Sequence, residues 1–134
     1  MPALLRWLLI FPVSVAGVAV GMVAAVMLHE VATALCPKEM LISGACTASW
    51  FPYAEQAAFA AGAAVGATLA VALPSFVAPR HRGRVAWFAF AGGLAYALWF
   101  VMTVGTSILV PFVVSVASGA LVSRAVNARF SREP

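Results

Sequence analysis

Residues 7–28 read WLLIFPVSVAGVAVGMVAAVML, twenty-two positions without a charge. A helix rises about 1.5 Å per residue, so about 20 such residues span the roughly 30 Å hydrocarbon core of a bilayer. Three further apolar runs follow, at about 57–78, 85–103 and 108–126, the last with Arg124 near its end. Each is built mainly from Ala, Val, Leu, Phe and Gly, and in lipid a helix satisfies every backbone group internally. The reading is an all-α membrane protein, a single domain over residues 1–134. Its four transmembrane helices form an up-down-up-down antiparallel bundle. Pro12 and Pro74 are expected to kink their helices or mark an end, whereas Pro111 falls in a first turn, where a missing N–H costs little.

The rest of the chain agrees. Of 134 residues, 64% are hydrophobic and 9% charged, against roughly half and a quarter in soluble domains. The net charge of +4 does not point to nucleic acid, because the basic residues adjoin apolar runs, where anionic headgroups meet them. If the spans alternate, Arg6, the Arg80–Arg82–Arg84 cluster, Arg124, Arg129 and Arg132 share one side, and only Lys38 lies opposite. The positive-inside rule then puts both termini in the cytoplasm of a bacterial-type inner membrane. Trp7 and Trp87 fall at the inner interface; Trp50, Phe51, Tyr53 and Trp99 fall at the outer one. The first run exceeds a signal-peptide core of about 7 to 15 residues and lacks a small-x-small cleavage site, so it reads as an uncleaved anchor.

The longest segment between spans, about 29–55, holds the only two cysteines. Cys36 and Cys46 in an oxidising compartment read as a disulfide that staples the outer loop. Redox-active pairs have two intervening residues, and this pair has nine. At the edges of the loop, His29 and Glu30 end the first span and Glu55 opens the second. These three form a candidate polar cluster or divalent-metal site.

No acidic or basic residue falls near the middle of a span, where one would mark a transport pathway. Thr68, Ser75, Thr103, Ser115 and Ser118 are the main hydroxyls, expected to bond a preceding carbonyl or a neighbouring helix. Ser14 and Ser115 have no partnered base, and Met22, Met27, Met102 and a helix-end His do not make a haem pair. No cofactor and no enzymatic activity are therefore expected. In size and span number the chain is similar to the small multidrug resistance exporters and the small fluoride channels. It departs from both: Glu30 lies at a span edge where the former bury a glutamate, and the latter's buried asparagine has no counterpart, Asn127 being the only Asn.

Small residues recur every fourth position. Gly17, Gly21 and Ala25 do so in the first span, Ala58, Gly62, Gly66 and Ala70 in the second, and Ser115, Gly119 and Ser123 in the fourth. Each set lies on one helix face and permits close backbone approach. The third span instead carries Trp87, Phe88, Phe90, Tyr96, Trp99 and Phe100. So many packing faces lead to the expectation that at least one of them docks another protein. The chain then reads as a non-catalytic accessory or structural subunit of a larger membrane complex. The alternative is a small homo-oligomeric transporter or channel for an ion or small amphiphile, with its pathway between copies.

Overall fold

The computed structural model describes residues 3–130. It consists of four long helices, α1 (Ala3–Ala34), α2 (Phe51–Val77), α3 (Arg82–Val104) and α4 (Leu109–Phe130), with a two-stranded hairpin, β1 (Leu41–Ile42) and β2 (Ala45–Cys46), between α1 and α2. All four helices are long and apolar enough to cross a membrane. The accessible surface is 8840 Å², well above the roughly 6,700 Å² expected of a soluble globule of this mass. Much of the excess is apolar: Phe11, Phe88 and Met102 are each more than three-quarters exposed.

Helix ends differ from the sequence expectation, and proline explains why. α1 runs six residues past Leu28 and α2 starts six before Ala57, which leaves a connection of residues 35–50, not 29–55. Polar His29 and Glu30 mark where apolar character stops, yet nothing in them breaks a helix. The stop comes at Cys36-Pro37, because a residue before proline is driven from the helical region. α2 begins at Phe51-Pro52, with proline in the first turn, where its lost N–H has no partner to lose. Pro12 and Pro74 lie inside α1 and α2, which continue through both.

Contacts set the sense of each helix. Gly17 meets Ala70, Gly21 meets Gly66, and Gly62 meets Ala25, so α1 and α2 run antiparallel in a constant register. Near the other end, Val71, Ala86 and Val126 join α2, α3 and α4 in one buried cluster, edged by Phe90, Val122 and Phe130. Phe90 packs on Gly119 and Gly83 on Asn127, so α3 and α4 are also antiparallel. α2 is the hub: it packs on each of the other three helices, while α1 packs mainly on α2. A second cluster, Ala32, Ala48 and Phe51 with Cys46 and Ala54, fixes the hairpin loop to the ends of α1 and α2.

The two ends of the molecule are chemically opposite. Among the described residues, Arg6, Arg80, Arg82, Arg84, Arg124 and Arg129 lie at one end, and Glu30, Lys38, Glu39 and Glu55 at the disulfide end.

Candidate functional site

The disulfide end gathers the groups with most chemical potential. Cys36 and Cys46 are bonded, with Cα atoms 6.0 Å apart. Between them the hairpin turns at Ser43 (φ 51°) and Gly44 (φ 83°), the two positive φ values that a two-residue type I′ turn requires. Thr47 closes the loop: its backbone N–H and its hydroxyl both donate to the Met40 carbonyl, each at 2.9 Å. The sequence signal for the staple, an isolated pair on one side, was sufficient.

Beneath the loop, α1 and α2 bring His29 and Glu55 together, with Nδ1 3.7 Å from Oε1. That separation makes an ion pair when the imidazole is protonated, and it is too long for a hydrogen bond. The Nδ1 atom is buried and has no hydrogen-bond partner among the described residues. Two aromatic rings hold the imidazole: Phe59 stacks on it at 6.2 Å and Phe51 meets it edge-on at 5.8 Å. Sequence reasoning missed both phenylalanines, although Phe51, Glu55 and Phe59 share a face at four-residue spacing. Glu30, one residue on, is exposed. Among the described residues no three His, Cys, Asp or Glu side chains converge as a metal site would need. The expected His29–Glu30–Glu55 trio is a pair.

Within the helices most of the hydroxyls turn back on their own backbone, Thr68 being the exception among those singled out above. Ser14 donates to Ile10, Ser75 to Val71, Ser115 to Phe112, Ser118 to Val114, Ser123 to Gly119, and Thr103 to both Trp99 and Phe100. Ser75 and Ser123 are fully buried. Satisfied in this way, a serine sits in an apolar core at little cost.

The small-residue faces find one another. A Cβ placed on Gly21 would lie 2.5 Å from the Gly66 Cα and 2.6 Å from the Gly62 carbonyl oxygen, and one on Gly17 would lie 2.6 Å from the Ala70 nitrogen. Gly119 meets the Phe90 ring, and Ser123 is enclosed. The stripes of α1, α2 and α4 are thus consumed inside the protein, which removes the surplus expected for partners. The unexpected opening is on α3. Ala86 is fully buried, and Gly93 lies seven residues on, on the same face. A Cβ on Gly93 would nevertheless meet nothing within 4 Å, and the same holds for Gly92. Every buried residue of α3 lies in its first turn or two, at Val85 and Ala86.

At the basic end the three clustered arginines separate. Arg82 donates from Nε to the Ala78 carbonyl at 3.3 Å, which caps the end of α2, and lays its guanidinium 4.8 Å above the Phe130 ring. Arg80 and Arg84 are exposed. Arg132 lies outside the described residues. The chain matches no protein-family model, no curated protein and no solved structure.

Proposed function

We propose that the protein is a non-catalytic accessory subunit of a bacterial-type inner-membrane complex, with both termini cytoplasmic, and that it docks a helix of its partner along the outer half of α3. One observation carries this reading. From Gly92 to Val104 the helix has no buried residue, and the face that seats Ala86 in the core stands open at Gly93. A glycine with empty space before it, flanked by exposed Tyr96, Trp99 and Phe100, suits close approach by a second helix in lipid. Self-bonded hydroxyls and ionisable groups confined to the two ends support a packing role over a chemical one. The segregation of arginines to one end supports the orientation.

The test is photo-crosslinking in native membranes from a reactive residue at Trp99, with a matched probe at Phe11 on α1. The expected result is one discrete protein adduct from Trp99 that disappears in a Gly93→Leu background. Lipid adducts alone from both sites would sink the reading. An adduct of twice the chain mass, with ion or amphiphile flux in reconstituted vesicles, would replace it with the homo-oligomeric transporter.

A further inference from the structure

The basic end of α3 carries an open groove of about 600 Å³ lined by Arg84, Trp87, Phe88 and Ala91. These positions are i, i+3, i+4 and i+7, one continuous helix stripe. Its lining is small Ala91 and the rings of Trp87 and Phe88, 41% and 78% exposed. Arg84 is the only charge on it, at the lip nearest the helix N-terminus. No hydrogen bond or ion pair engages Arg84 among the described residues, whereas its neighbour Arg82 is tied to Ala78 and Phe130. The three described glutamates are all at the far end of the molecule. An open, almost wholly apolar surface with an uncompensated guanidinium at one end matches the chemistry of an amphiphile with an anionic head.

We propose that this groove seats one anionic phospholipid, its phosphate held by Arg84 and an acyl chain lying between Trp87 and Phe88 over Ala91. The inference rests on the membrane-spanning reading but not on any protein partner. A guanidinium pairs with phosphate oxygens in fork geometry. Its stem lies along the apolar wall while its head reaches the interface. The aromatic walls suit the headgroup boundary, where one side of a ring is dry and the other wet.

Native mass spectrometry of the full chain in mild detergent tests this, with phosphatidylglycerol and phosphatidylcholine of matched acyl chains as probes. Phosphatidylglycerol should be retained preferentially, and Arg84→Gln should lower its retention about fivefold, the effect of one basic contact with an anionic lipid. Arg80→Gln, which lies outside the groove, should lower retention less than Arg84→Gln does. Ala91→Phe, which fills the trough, should lower retention of both lipids, with helical circular dichroism confirming that each variant is folded. Equal retention of the two lipids, or retention untouched by Arg84→Gln in a folded protein, would overturn the proposal. A chain that does not partition into vesicles at all would overturn the membrane reading along with it.

Discussion

The α1–α2 seam and the outer half of α3 both contain glycines, and they use them in opposite ways. Along the seam, Gly17, Gly21, Gly62 and Gly66 bring two backbones into contact, so that a Cβ at Gly17, Gly21 or Gly62 would strike main-chain atoms, while one at Gly66 would sit in ordinary contact. On α3, Gly92 and Gly93 face open space. The same residue type therefore reports a finished interface in one place and an open face in the other. Only the surrounding backbone distinguishes them. In lipid, where association draws on close packing because tails are as apolar as side chains, a filled glycine face is a fastening and an empty one is an invitation.

The comparison breaks first at Gly21. Gly21→Leu forces a side chain into the Gly62 and Gly66 backbones, which cannot move aside as a flexible side chain would. The expected cost is about 3 kcal/mol or more, read as a lowered midpoint of reversible unfolding in detergent. Unchanged stability would mean that α1 is not fastened to α2 in this way. Next comes the staple over the same seam. Cys36→Ser releases a loop whose closure contributes on the order of 2 to 3 kcal/mol, measured as the same midpoint with and without reductant. The variant should be insensitive to reductant while the parent is not. The smallest effect is the sharpest contrast. Gly93→Ala adds a methyl to empty space and removes a helix-weakening glycine, so it should leave the isolated protein equally stable or more stable by up to about 1 kcal/mol. A destabilisation comparable to that of Gly21→Leu would erase the difference between the two regions.

The sequence made the four helices legible because their signal is simple: uncharged runs long enough to span. The disulfide was legible for the same kind of reason, two cysteines and no others. The limits of the helices were less so, since the polarity of His29, Glu30 and Glu55 records a local change of composition, while Pro37 and Pro52 record where the backbone stops and starts. The four-residue stripes announced close approach but not its addressee. That Gly21 meets Gly66, and not a foreign helix, depends on α1 and α2 being consecutive and antiparallel with matching spacing, which a pattern on one helix does not encode. At the polar end, the proximity of His29 to Glu55 followed from adjacent helix ends. The rings of Phe51 and Phe59 around the imidazole did not, because apolar residues near a helix start look the same whether they face lipid or a histidine. Arg82 and Arg84 differ for a similar reason: two positions apart on a helix, they point to nearly opposite sides.

The separation of acidic and basic residues to opposite ends also gives the molecule an electrical polarity. Among the described residues, six arginines stand at one pole, and three glutamates and a lysine at the other, about a helix length apart. Across an energised membrane each elementary charge is worth about 2.3 kcal/mol per 100 mV. In the orientation proposed above, a cytoplasm at negative potential would hold the arginine pole where it is, and turning the chain over would carry those charges uphill against the field. The sidedness set at insertion would then be reinforced for as long as the cell keeps its membrane charged.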